Sequence, residues 1–176
     1  MDANLVEKPA DLKDFDAVVL PGVGNFRAGS QTIRAMKGRI SELAEGGVPL
    51  LGVCLGMQLL FESSEESQGE GLGMLKGKVV SLPSSAKIPH MGWNTLKVLR
   101  QSSLLEGVSG DDYFYFVHSY YGSPTDRNVV VAETDYGLSF ASVVAKGNVW
   151  GTQFHPEKSG KPGETVLRNF ARIVKS

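Results

Sequence analysis

The chain has 176 residues and a mass of 18.9 kDa, enough for one domain with a small elaboration. Hydrophobic residues make up 41% and charged residues 21%, a balance that excludes a disordered chain. Lys and Arg total 18 against 19 Asp and Glu, so the net charge is −1 and there is no basic excess to hold a phosphate backbone.

In chain order, Phe15-Asp-Ala-Val-Val-Leu20 reads as a buried strand, ended by Pro21-Gly22-Val23-Gly24. Ile33, Met36, Ile40 and Leu43 then recur at helical spacing with polar residues between them, and Gly46-Gly47 stops that helix. Val48 to Val53 reads as a second buried strand running into a short apolar helix, Leu55 to Glu62. Strand, helix, strand, helix indicates a parallel α/β sheet. The polar stretch Ser63 to Gly71 reads as a surface loop. Further strands are expected at Lys78–Leu82, Asn94–Leu99, Tyr113–Val117, Val129–Glu133, Phe140–Ala145 and Val149–Phe154. Lys146-Gly147-Asn148 has hairpin chemistry, so the last two strands are expected to be antiparallel neighbours. A closing helix is expected from about Pro162, with Val166, Leu167, Phe170, Ile173 and Val174 on one face.

Cys54 is the sole cysteine, which excludes an intrachain disulfide and a cysteine-based zinc cluster; it fits a reducing cytoplasm. His90, His118 and His155 lack metal-like spacing. No apolar run approaches the ~20 residues of a membrane span, and the charged start of the chain does not read as a signal peptide.

Gly52-Val53-Cys54-Leu55-Gly56 places a nucleophile between glycines, after a strand and before a helix, which is the layout of a nucleophile elbow. Such a turn exposes the sulfur at a helix start, where the dipole favours thiolate and backbone N–H groups can hold an oxyanion. A buried structural cysteine is the alternative. The strand Val149–Phe154 delivers His155-Pro156-Glu157 at its carboxyl end, where open α/β sheets gather their sites. His155 could take the proton of Cys54. If the segment is extended, Glu157 lies on the same side as His155 and could fix its tautomer. A solvated histidine beside an unrelated carboxylate is the alternative.

Gly52-Val-Cys-Leu-Gly-Met-Gln58 together with Gln153-Phe-His-Pro-Glu157 resembles the class I glutamine amidotransferases, in order and over nearly the whole chain. Pro21-Gly-Val-Gly-Asn-Phe26, Met57, Pro89-His-Met-Gly-Trp-Asn94 and Lys158-Ser159 make the resemblance greatest to the glutaminase subunits of imidazole glycerol phosphate synthases, in histidine biosynthesis. Amidotransferases for anthranilate, GMP or carbamoyl phosphate usually carry His where Met57 stands. The resemblance implies a flavodoxin-like class I amidotransferase fold: a mixed, mostly parallel sheet flanked by helices, with an antiparallel portion in its second half.

It also implies a catalytic triad of Cys54, His155 and Glu157, and hydrolysis of glutamine to glutamate and ammonia. Gly22, Val23, Gly24 and Leu55 would form the oxyanion site, with a backbone peptide that reorients. Gln58, Glu66, Ser119 and Tyr120 would hold the glutamine. Tyr115 and Lys158 would face a (β/α)₈ cyclase subunit that receives the ammonia in a cytoplasmic heterodimer. No metal or organic cofactor is implied, nor contact with nucleic acid or membrane. His90 and Trp93 receive no chemistry, and His118 is expected to be structural because His155 already has the Glu157 partner.

The family's opening strand and Asp-Tyr-Gly-x-Gly-Asn type loop have no counterpart in this sequence, which opens at Ala3-Asn-Leu-Val6, similar to the family's second strand. The expectation is a single amidotransferase domain over residues 1–176 short of one βα unit, and less stable than a longer form. A stand-alone cysteine hydrolase, the glutaminase of a chorismate-using or pyridoxal-forming synthase and a non-catalytic truncated subunit remain as alternatives.

Overall fold

Residues 2–13 and 15–176 are described by a computed structural model. Ala3 to Val6 form no strand, and the first regular element is a 3-10 turn at Pro9–Asp11. Strand β1 (Val18–Leu20) leads through the Pro-Gly-Val-Gly turn into helix α1 (Phe26–Arg34), whose first turn is capped by the Asn25 side chain accepting from the Ala28 N–H at 2.9 Å. The helix expected across Ile33–Leu43 is two helices. α1 stops at Arg34, and α2 (Lys37–Glu45) starts after a turn at Ala35–Met36. Met36 stays buried in that turn, so the apolar spacing runs across the break without marking it.

β2 (Leu50–Val53) is followed by α3 (Leu55–Gln58), a single turn rather than the longer helix expected. Ser63–Ser64 form a two-residue strand, β3, inside the stretch that reads as loop. Then come β4 (Gly77–Ser81), β5 (His90–Thr95) and β6 (Lys97–Val98). The strand expected at Asn94–Leu99 thus starts four residues early and is interrupted at buried Leu96. β7 (Tyr113–His118) precedes β8 (Tyr120–Pro124), a strand that the sequence does not announce because Gly122 and Pro124 are poor strand formers. β9 (Val130–Asp135), β10 (Ser139–Lys146), β11 (Val149–Thr152) and α4 (Gly160–Val174) complete the chain.

Among the described residues the main sheet has six strands in the order β1-β2-β11-β10-β9-β6. The first three are mutually parallel and the last three run antiparallel to their neighbours. The expected β10–β11 hairpin is present, with Gly147 at φ +59° in its two-residue loop. The sheet is widest at its middle, where β10 has eight residues, and narrows to three residues in edge strand β1 and two in edge strand β6. A three-stranded sheet, β3-β4-β8, and a β5–β7 pair stand beside it.

Period-two alternation sends neighbouring residues of β2 to opposite faces. Leu50 packs with Phe26, Ile40, Leu43 and Leu60 on one face, and Leu51 packs with Phe114, Phe154, Val166 and Phe170 on the other. Each fully buried leucine contributes about 1.5–3 kcal/mol from apolar burial. Helix α4 buries Val166 and Phe170, with Ile173 and Val174 partly buried, while Leu167 is exposed instead of joining that face. Among the described residues no helix is long and apolar enough to cross a membrane.

Candidate active site

The elbow is built where β2 ends. Cys54 has φ 52° and ψ −108°, and no other non-glycine residue among those described has a positive φ. Backbone angles of this kind cost of order 1–3 kcal/mol and persist only where the surroundings enforce them. Here the Cys54 N–H donates to the Thr152 carbonyl of β11 at 2.8 Å, and the Cys54 carbonyl accepts from the Gln58 N–H at 3.1 Å. The flanking glycines are set by space. A Cβ on Gly56 would lie 1.7 Å from the Leu20 carbonyl oxygen, and one on Gly52 would lie 2.6 Å from the Gly56 oxygen.

The sulfur is not exposed as an elbow predicts. Cys54 is 6% exposed, and burial pushes its thiol pKa up to about 11. The Glu157 carboxylate also raises it, whereas the Leu55 backbone N–H, the Gln153 amide and Lys158 oppose the rise. Desolvation outweighs one turn of helix. The resting nucleophile is therefore a thiol, and its Sγ points to the Val117 carbonyl at 3.9 Å.

His155 stands beyond the end of β11, next to β2 in the sheet. Its Nδ1 lies 2.7 Å from Glu157 Oε1, so the carboxylate accepts and Nδ1 carries a proton. Glu157 reaches it from a 3-10 turn, Pro156–Lys158, not from the extended segment expected. His155 Nε2 is buried and has no hydrogen-bond partner among the described residues. A buried polar atom left without a partner is rare in a folded protein and marks a place where a ligand or a reacting group can be met. Ser159, buried, accepts from the Tyr115 N–H at 3.0 Å and donates to the His155 carbonyl at 2.6 Å. The His155 N–H donates to the Tyr115 carbonyl at 2.9 Å. These bonds fasten the histidine to β7.

Val23, Gly24, Cys54, Leu55, Gln58, Glu66, Ser119 and Tyr120 line one cavity of about 340 Å³, together with Pro89, Val117 and His118. That size suits a small molecule (pockets run ~300–1,000 Å³). The expected substrate residues thus converge with the nucleophile. Glu66 also accepts from the Phe26 N–H at 2.7 Å, joining the cavity to the start of α1. Gln58 donates to the Tyr120 carbonyl at 2.9 Å and to Gln153 Oε1 at 3.2 Å. Of the residues expected at the oxyanion site, Val23, Gly24 and Leu55 line the cavity and Gly22 does not. The Leu55 N–H is directed at the Gly22 carbonyl at 3.4 Å, so the loop's own oxygen occupies that donor. Gly24, at φ +101°, is the conformationally free residue of that loop.

Tyr115 and Lys158 lie outside the cavity. Cross-strand pairs of β5 and β7 set Met91 beside Val117, Trp93 beside Tyr115 and Thr95 beside Tyr113. Met91, Trp93 and Tyr113 are exposed, and Trp93 meets Tyr115 edge-on at 5.8 Å, giving an apolar outer face next to the nucleophile. Gln153 and Ser159 join the site without a role expected from sequence. Gln153 Nε2 lies 3.7 Å from Cys54 Sγ. The signal that could have found it is its position two residues before His155.

The family model for class I glutamine amidotransferases matches residues 2–174. The chain is 48% identical to the imidazole glycerol phosphate synthase subunit HisH of Methanocaldococcus jannaschii over 165 residues, 93% of this chain and 84% of that one. It is 50% identical over 177 residues to the protein of the same name from Halobacterium salinarum, covering 96% and 81%. A crystal structure of a glutamine amidotransferase superposes with a TM-score of 0.77 at 22% identity, over 100% of this chain and 88% of that chain. Another glutamine amidotransferase, from Thermotoga maritima, gives 0.65 at 16% identity, over 90% and 77%; these two likenesses concern the fold.

Proposed function

The chain belongs to the class I glutamine amidotransferases, and we propose that within them it is the glutaminase subunit of an imidazole glycerol phosphate synthase. The observation that carries this reading is the meeting of Cys54 with Gln58, Glu66, Ser119 and Tyr120 around one cavity, in a chain about half identical to proteins of that name.

In the reaction, Cys54 Sγ attacks the side-chain carbonyl of glutamine while His155 Nε2 takes the thiol proton. The C–N bond breaks, His155 returns the proton to the leaving nitrogen, and ammonia departs from a thioester. Water, deprotonated by the same imidazole, adds to the thioester. Glutamate leaves and the thiol is restored. Glu157 stabilises the imidazolium. Glu66 takes the α-ammonium of glutamine; Gln58, Ser119 and Tyr120 supply the remaining polar contacts. Oxyanion stabilisation requires the Gly22–Val23 peptide to turn, freeing the Leu55 N–H and presenting that of Val23. Thiol burial and the occupied donor together make the isolated subunit slow.

The apolar face of Met91, Trp93 and Tyr115, with Lys158 beside it, seats a (β/α)₈ cyclase partner. Ammonia passes to that partner under cover, in a cytoplasmic heterodimer. Glutamine hydrolysis measured with and without the cyclase and its nucleotide ligand tests the reading. Strong activity is expected only with both, and the Cys54→Ala complex is expected to lose at least ~10³-fold. Glutaminase activity in the Cys54→Ala complex would refute the mechanism, and a silent wild-type complex would refute the assignment.

A further inference from the structure

Two buried histidines stand next to the site with no role in the chemistry above. His90 and His118 face each other directly across β5 and β7, and their Nδ1 and Nε2 atoms lie 3.0 Å apart. They are 3% and 6% exposed. We propose that His118, held by His90, is a positioning residue that fixes the Tyr120 carbonyl in the wall of the glutamine cavity and ties it to the exposed strand β5. This rests on the glutaminase reading.

The hydrogen bonds around the two rings have only one consistent direction. His118 Nδ1 lies 2.9 Å from the Tyr120 carbonyl, which can only accept, so Nδ1 carries the proton. Both rings are neutral near pH 7, because burial lowers the pKa of His90 to about 4 and that of His118 to about 3. His118 Nε2 is therefore bare and accepts from His90 Nδ1–H. His90 Nε2 is bare in turn and accepts from the Asn94 amide at 3.4 Å, the same amide that donates to the Asp135 carbonyl at 3.1 Å. The His90 ring lies nearly parallel to Phe116 and to Tyr136, with centroids 4.9 and 3.9 Å away. The Tyr136 hydroxyl is itself anchored on the Lys87 carbonyl at 2.7 Å. Neither ring can turn without losing these partners.

The Tyr120 carbonyl accepts a second bond, from Gln58. Gln58 continues to Gln153, whose amide lies against Cys54 Sγ. Two hydrogen-bonded paths thus meet at one oxygen, one linking it through Gln58 and Gln153 to the nucleophile and one linking it through the histidines to β5. The other face of β5 carries exposed Met91 and Trp93. A shift of that strand moves His90, then His118, then the cavity wall.

The test uses the heterodimer of this chain with its cyclase partner. His118→Phe keeps a ring and removes the donor; His118→Asn keeps an N–H donor as many bonds from Cα as Nδ1. His118→Phe is expected to raise the KM for glutamine about ten-fold with kcat within about three-fold, while His118→Asn stays within about three-fold in KM. Nitrogen-15 NMR of the wild-type chain is expected to find both histidines neutral with the proton on Nδ1. Equal KM for the Phe and Asn variants, or a proton on Nε2 of His118, would overturn the inference. Wild-type turnover in the same assay tests the underlying reading separately, and the tautomers stand whatever that assay gives.

Discussion

At the carboxyl end of β2 the backbone is strained, and beyond β11 a buried polar atom is left open. Cys54 sits at positive φ with its thiol buried, and His155 Nε2 has no partner among the described residues. In the β5–β7 pair, whose His118 lines the same cavity, His90 and His118 are just as buried but every ring nitrogen is matched. A group without a partner, or held only by long contacts such as the 3.4 Å bond from the Leu55 N–H to the Gly22 carbonyl and the 3.7–3.9 Å contacts of the sulfur, is changed at little cost by a substrate or a turned peptide. Matched groups resist displacement and serve to hold a geometry. The comparison separates residues that react from residues that locate them.

The largest test of this contrast strikes the strained side. Gly56→Ala places a methyl group against the Leu20 backbone oxygen. Its cost is expected to exceed about 4 kcal/mol, read as a collapse of the urea midpoint. A near-unchanged midpoint would mean the elbow is pliable and not enforced. Next, Glu157→Gln removes the charge that steadies the imidazolium while keeping the side-chain shape. Because Glu157 is half-exposed, a fall in kcat of about 10²-fold is expected in the complex, smaller than for a buried acid. An equal fall in the stability of the resting chain would show that the pair is structural.

The smallest effect is a displacement along the pH axis. Iodoacetamide should label Cys54 in the free chain with a rate still rising above pH 9 and levelling near 11. The sign for stability follows from linkage. The unfolded thiol ionises near its ordinary value and the folded one near 11, so between them the folded chain holds more protons and stability falls as pH rises. Labelling that levels off at pH 9 or below would show that the sulfur is solvated.

The reactive side is the readable side. Gly52, Cys54 and Gly56 lie within one strand–turn–helix, and His155 and Glu157 are two residues apart, so local spacing carries their geometry. The burial of the sulfur is not readable, because the Val117 carbonyl and the Gln153 amide against it come from positions far along the chain. His90 and His118 are 28 positions apart and meet only through the register of β5 on β7, which no periodicity announces. The turn at Ala35–Met36 is hidden for a related reason: buried Met36 preserves the helical spacing across it.

The taper of the main sheet bears on how the protein behaves when crowded. An edge strand is a template on which another chain can add a strand, and long flat edges seed aggregation. Among the described residues the two edges offer three residues at β1 and two at β6, the latter beginning with an exposed lysine. A ladder of two or three residues gives a neighbouring copy few hydrogen bonds before it must stop. The eight-residue strand that could template a longer ladder lies inside, paired on both sides. The outline of the sheet itself thus limits edge-to-edge growth.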